Sequence, residues 1–362
     1  MKITLVSGGV SLKKSFARIA VLLVVVIGVL YLFLWEPKNT ADYPGKRLVI
    51  LNWEDYLDTG VVADFEKETG ISVSVMEYRT VDESLTLIQN NLAAYDLLIV
   101  NDSILEFLQQ SGLIQPFDIQ NIKGRERLDE NFSRYLPVGI PYLWSATGFI
   151  VDRRQVPDEV DSVTILWDPR YRGKIRLLDD VREALFPVMV KERMDINESD
   201  PAQIASLEPL VTALRENNVF FGDTFDNIEK LLEGKAWIVQ TYNGDYLYKV
   251  NGKPEYRFFL PREGFPATMD IFVFPKSSQN PVAAHRFVSF YLRPEIAART
   301  TNRYCYANPV RGSEVFLRDD LRGNAVMFPP ADVRARAASY REVKDAFSVY
   351  QRLFYLMRRT EH

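Results

Sequence analysis

Leu51-Asn52-Trp53-Glu54-Asp55-Tyr56-Leu57, directly after the apolar run Leu48-Val49-Ile50, is the stretch from which the fold can be read. A short β run here ends in two aromatic and two acidic residues, the composition of a strand passing into a ligand-facing loop. Residues 61–70, Val-Val-Ala-Asp-Phe-Glu-Lys-Glu-Thr-Gly, have the pattern of an amphipathic helix closed by glycine. Open α/β sheets present ligand groups in this order of strand, loop and helix, at the carboxyl ends of their strands. Trp and Tyr faces attract a cation and Glu and Asp pair with it, so the loop predicts a receptor for a small organic cation.

Working outward, short β runs alternate with helical patterns. Strands are expected at 72–76 and 95–100, with helices at 84–92 and 104–112. This rhythm predicts a mostly parallel sheet covered by helices. Residues 140–152 break it with one long extended segment, long enough to cross between two lobes. A second α/β stretch follows: strands at 174–178, 236–240, 256–261 and 269–275, and helices at 181–192, 202–216 and 228–233. From Pro281 the chain reads as mostly helical, with a loop rich in Pro, Arg and Asp at 306–332.

The chain has 362 residues, 47% hydrophobic and 25% charged, which suits two globular domains of ordinary size or one large one. A net charge of −4 gives no basic face and so no support for a nucleic-acid partner. The single cysteine, Cys305, excludes an internal disulfide and reads as a small buried residue. Two histidines, His285 and His362, and no HExxH or CxxC spacing argue against a metal site. Phosphate-binding loops, dinucleotide fingerprints and nucleophile elbows are absent, so neither a cofactor nor an enzyme is expected.

Residues 1–18 form a basic leader carrying Lys13, Lys14 and Arg18, and residues 19–35 an unbroken apolar run. The basic flank predicts that this end stays in the cytoplasm and the remainder is exported. At roughly 17 residues the run is near the lower limit for spanning a bilayer and long for a cleaved signal. A signal anchor is the favoured reading and a cleaved signal peptide the other.

Several acids stand out on chemical grounds. Asp270 lies in the apolar run Met269-Asp270-Ile271-Phe272-Val273-Phe274, where an unpaired carboxylate is costly, so it needs a cation or hydrogen bonds. Asp180 and Glu183, three apart at a helix start, can face one way or form a cap. Asp245, in Asn243-Gly244-Asp245, is open between a turn role and a ligand role.

Further motifs carry a family resemblance. They are Asn52-Trp53-Glu54-Asp55-Tyr56, Tyr95-Asp96-Leu97, residues 140–147 (Ile-Pro-Tyr-Leu-Trp-Ser-Ala-Thr), residues 167–174 (Trp-Asp-Pro-Arg-Tyr-Arg-Gly-Lys) and Asp179-Asp180-Val181-Arg182-Glu183. Together they resemble the spermidine/putrescine-binding extracytoplasmic proteins of bacterial ABC importers, from about Arg47 to the last helix. The resemblance implies the type II periplasmic-binding-protein fold, with two lobes, each a mixed sheet flanked by helices, joined by a hinge. Lobe 1 would comprise 45–149 with 269–315, and lobe 2 150–268 with 316–362.

The resemblance further implies a polyamine ligand, an ABC permease partner and a monomer in the periplasm, tethered to the inner membrane if residues 19–35 are retained. A tethered amine sensor is the alternative. Trp53, Tyr56 and Tyr242 would be walls. Glu54, Asp55, Asp180, Glu183, Asp245 and Asp270 would be acids for ammonium groups. Tyr306 would close the edge, or else be a core residue. The chain departs from the family at Asn101-Asp102-Ser103 and at Thr268, where a wall is lost and acid is added. A short diamine or guanidino-amine therefore fits at least as well as spermidine.

Overall fold

The computed structural model describes residues 46–358 apart from 55, 344 and 345. The leader expected at 1–35 and the site candidate Asp55 lie outside the described residues. Strand β1, Arg47–Trp53, sends Leu48 and Ile50 into one core and Leu51, with Val49 and Trp53, into another. Burial on both faces explains its nearly continuous apolar run. Asp58 then caps the helix Thr59–Thr69, accepting bonds from the Gly60 and Val61 amides at 2.7 and 3.0 Å. Gly70 ends that helix at φ 69°, a left-handed conformation that glycine adopts without strain.

The remaining strands are β2 (Ser72–Tyr78), β3 (Leu97–Asn101), β4 (Ile114–Gln115), β5 (Gly139–Asp152), β6 (Ile175–Leu178), β7 (Phe220–Gly222), β8 (Ile238–Tyr242), β9 (Tyr256–Phe259), β10 (Phe265–Pro275) and β11 (Ala337–Ala338). They join in the order β2-β1-β3-β10-β5-β8-β6-β7, with β4 and β11 on β10 and β9 on β5. The β1–β2, β1–β3, β6–β7 and β6–β8 pairs are parallel, whereas β5 and β10 run antiparallel to their main neighbours. Strand β5 pairs with β10 through Ala146 and with β8 from Thr147 onward. One strand thus passes from the first lobe's sheet into the second, as residues 140–152 predicted.

Each lobe has its own core. Leu48, Phe65, Phe272 and Phe287 pack on one face of the first lobe's sheet, and Leu51, Leu98, Leu105 and Ile271 on the other. In the second lobe, Phe149, Leu177, Phe186 and Val211 pack with Tyr350 and Leu353 of the last helix, Phe347–Arg358. Its opposite face holds Ile150, Ile228, Leu231 and Val239. The fold is therefore the two-lobed mixed α/β arrangement that the motifs implied.

Two local expectations differ from the structure. The helix expected over 202–216 is two helices, Pro201–Ala205 and Glu208–Glu216, with Pro209 in the first turn of the second. Proline has no N–H to donate, which costs nothing in a helix's first turn and a hydrogen bond in its interior, so it fits a restart. The strand-end turn that was one of the two readings open at Asn243-Gly244-Asp245 is the start of a helix, Asn243–Lys249. Asn243 is held by tertiary bonds, accepting from the Ala146 amide at 3.0 Å and donating to the Val326 carbonyl at 3.1 Å.

Candidate functional site

The strand ends bring the candidate residues together. Trp53 lies at the carboxyl end of β1 and Tyr242 at that of β8, while Asp180 follows β6 closely. Asp270 pairs with Asn101 at the end of β3, and the β5–β10 register shifts between Asp270 and Ile271. The extra residue is Tyr142 on β5, while β10 keeps its register against β3 through Asp270.

Asp270 is 7% exposed and accepts a hydrogen bond from Trp53 Nε1 at 3.1 Å. Burial pushes its carboxyl up to about 7, and the nearby Asp102 adds to the shift. Hydrogen bonds from Tyr56 and Trp53 oppose both effects. Around this acid the first lobe builds an aromatic wall. The Tyr56 ring centre lies 5.7 Å from those of Tyr304 and Tyr306, and its carbonyl accepts the Tyr142 hydroxyl at 2.7 Å. The Trp53 ring packs on Tyr78 at 4.4 Å.

The second lobe supplies Asp180 and Glu183. Asp180 Oδ1 accepts the Arg182 and Glu183 amides at 2.8 and 2.9 Å, so it caps the helix Val181–Lys191. Glu183 is buried one turn in. Its Oε1 accepts the Thr147 hydroxyl at 3.2 Å, and its Oε2 has no protein partner among the described residues. Burial, then the Asp180 charge, push the Glu183 carboxyl up to about 8 against the weaker pull of Thr147, Tyr340 and Arg182. The Tyr340 hydroxyl influences Glu183 from beyond ordinary hydrogen-bond geometry and is itself buried without a partner.

Tyr242 stands between the lobes. Burial raises the pKa of its hydroxyl first, followed by the charges of Glu183, Asp180, Asp245 and Asp270. Carboxylates from both lobes thus act on a single phenol ring. Asp245 is engaged by protein groups: Oδ1 accepts the Tyr306 hydroxyl at 2.7 Å and Oδ2 the Thr224 hydroxyl at 2.8 Å. Burial raises its carboxyl to about 6 despite both bonds. A Cβ on Gly244 would lie 2.4 Å from the Tyr306 ring, so glycine there lets the ring lie against the helix. Tyr306 is both core residue and cleft edge, packing on Tyr56 while bonding Asp245.

The structure therefore brings Trp53, Tyr56, Asp180, Glu183, Tyr242, Asp245, Asp270 and Tyr306 into one neighbourhood. Glu54 points elsewhere: it is exposed and pairs with Arg79 at 2.6 Å. Participants outside the candidates include Thr147, Tyr340 and Asp102, with Tyr78, Tyr142 and Tyr304 in the aromatic wall. Thr147 closes a quoted motif, and Asp102 was visible as added acid after β3. Tyr340 lies in a segment with no pattern to single it out.

Chemically, this neighbourhood sets buried carboxylates among aromatic rings with little built-in positive charge. Arg182 stands near Glu183 and Arg134 near Asp102, but Asp270 has only neutral donors beside it. Such acids stay protonated or take a cation from outside. Among the described residues no cluster of three or more His, Cys, Asp or Glu is placed to hold a metal ion. An organic cation with apolar segments matches both the acids and the rings.

Residues 60–314 match the bacterial extracellular solute-binding protein family. The spermidine/putrescine-binding periplasmic protein of Escherichia coli (strain K12) is 26% identical over 315 residues, spanning 85% of this chain and 90% of its own. The putrescine-binding periplasmic protein PotF of the same organism is 28% identical over 320 residues, covering 80% and 85%. The crystal structure of the spermidine/putrescine ABC transporter substrate-binding protein PotD from Streptococcus pneumoniae superposes with a TM-score of 0.77 at 23% identity. It covers 86% of this chain and 98% of that one.

Proposed function

We propose that this chain, which belongs to the bacterial extracellular solute-binding protein family, captures a polyamine between its lobes and delivers it to an ABC permease. The observation that carries the reading is the pair Asp270 and Glu183. They are buried carboxylates from opposite lobes, both near Tyr242, and Glu183 Oε2 is unpartnered among the described residues. A ligand with two ammonium groups would pair with one acid on each lobe and favour the closed form by contacting both. Trp53, Tyr56 and Tyr242 would line its methylenes. Asp180, at the cap, adds charge on the Glu183 side. The names of the relatives, putrescine and spermidine binders, agree with this chemistry.

Family membership places the protein outside the cytoplasm. Residues 19–35 act as a signal anchor or leader on this reading, and the protein works as a monomer. The lobes divide near 45–149 with 269–315, and 150–268 with 316–362; separate cores around Phe272 and Tyr350 support two lobes, while Phe149 in the second core and the β5–β8 pairing from Thr147 favour a first boundary a few residues earlier. A tethered sensor gains no support from the relatives, which are named as binding proteins.

Thermal denaturation with putrescine, cadaverine, spermidine and the uncharged 1,4-butanediol tests the proposal. At least one amine should raise the melting temperature at about 1 mM, by mass action on the folded state, and the diol should not. A flat response to every amine would contradict it.

A further inference from the structure

A short strap of the second lobe reaches across the crevice to the first. Residues 336–342 leave β11, whose Ala337 and Ala338 pair with Phe265 and Pro266 of β10. The strap is fixed to the second lobe by three bonds. Asn197 Nδ2 donates to the Ser339 carbonyl at 3.0 Å, the Arg341 amide to Asn197 Oδ1 at 2.7 Å, and Arg182 Nη1 to the Arg341 carbonyl at 3.1 Å. The Arg182 guanidinium also lies 4.8 Å from the Tyr340 ring centre, holding that ring beside Glu183.

The Ser339 side chain bonds in the opposite direction. Its hydroxyl accepts from Arg134 Nη2 at 3.1 Å, and Arg134 Nη2 also donates to Tyr135 Oη at 2.7 Å. Tyr135 in turn donates to Asp102 Oδ2 at 3.3 Å, and the Ser339 hydroxyl faces Asp102 closely enough to favour its charged form. Three residues on, the Glu342 amide donates to Glu106 Oε2 at 3.3 Å, on the same helix as Asp102. Asp102, Glu106, Arg134 and Tyr135 all belong to the first lobe as divided above. Ser339 thus has its backbone bonded to one lobe and its hydroxyl to the other, one residue before a ring of the site.

We propose that Ser339 is a cross-lobe latch: with Arg134 and Asp102 opposite it, it sets how firmly the crevice stays shut, and so how long a bound amine is retained. It is a positioning residue, acting through lobe closure and through the placement of Tyr340. The inference rests on the amine-binding reading. Bonds made only in the closed form raise the fraction of closed protein, and apparent affinity scales with that fraction. They break on opening, so their loss shows in the dissociation rate more than in the association rate.

The test compares wild-type protein with Ser339→Ala and Ser339→Thr, using putrescine and spermidine in stopped-flow fluorescence. Loss of one hydroxyl network should raise the dissociation rate and Kd by about 3- to 10-fold and leave the association rate within about twofold. Threonine keeps the hydroxyl and should restore wild-type dissociation, which would not follow from a merely destabilised fold. Small-angle scattering of the unliganded proteins gives a ligand-independent reading, in which the alanine variant should be more expanded on average. If wild type binds no amine, the amine reading fails, and the scattering comparison alone decides the latch. An alanine variant with unchanged dissociation, or with a scattering curve superimposable on wild type, would overturn it.

Discussion

Asp270→Asn separates the proposed chemistry from mere shape. The substitution keeps size and one acceptor oxygen, so Trp53 Nε1, now 3.1 Å away, can still donate to it. What disappears is a negative charge in a site 7% exposed, next to an incoming ammonium. Removing one partner of a buried charge pair costs about 2–4 kcal/mol, or roughly 30- to 1,000-fold in Kd. Fold stability should move the other way or not at all. Burial and the charge of Asp102 already penalise ionised Asp270, whose carboxyl is raised to about 7, and the amide escapes that penalty at alkaline pH. Calorimetric titration with putrescine and spermidine, alongside thermal denaturation at about pH 8, measures both quantities. A variant that melts at or above the wild-type temperature and binds at least 30-fold more weakly supports the assignment, on the scale of about 2 kcal/mol noted above. One that binds within about threefold of wild type would refute it, because a desolvated charge pair cannot be lost so cheaply.

Three further outcomes follow from the same geometry. Glu54→Ala should change Kd by less than about twofold, since Glu54 forms an exposed pair with Arg79; a larger loss in the same titration would return this acid to the crevice. Gly244→Ala should lower stability by about 1–3 kcal/mol in a denaturant titration, because its Cβ would enter the Tyr306 ring; an unchanged midpoint would mean that the ring moves freely. The pH dependence follows from Asp102 and Asp245 (both raised to about 6), Asp270 (about 7) and Glu183 (about 8). Each folded-state pKa lies above its unfolded value, so the folded chain holds more protons between the two. These groups therefore contribute most to unliganded stability at acid pH, and that contribution is lost as pH rises through about 6–8. An amine needs Asp270 and Glu183 ionised, so its binding should tighten as pH rises through about 7–8 and release protons near about pH 6.5, measured by calorimetry in buffers of different ionisation heat. Binding without proton release would contradict the buried-acid account.

Much of this was legible in the residues, for reasons that differ by element. Strand β1 and its helix could be read because apolar periodicity and the closing Gly70 are local signals. Asp270 could be read because an acid in a doubly buried strand demands a partner wherever the strand sits. Glu54 could not be placed, because adjacent loop residues point different ways and the partner, Arg79, comes from the far end of β2. Asn243-Gly244-Asp245 left a turn open as one of two readings, whereas bonds to Ala146 and Val326, distant in sequence, fix a helix start there. Tyr340 left no trace in its neighbours, since its role comes from Arg182 stacking on one side and Glu183 lying near it. The long extended segment at 140–152 was recognisable as a candidate crossing strand because its length breaks the short strand and helix rhythm on either side.

The most direct test is a crystal structure of the protein with putrescine. The account predicts the diamine lying along Trp53, Tyr56 and Tyr242, with one nitrogen about 2.7–3.2 Å from Asp270 and the other at similar range from Glu183. A diamine bound outside that crevice, or held through carboxylates of a single lobe, would contradict it.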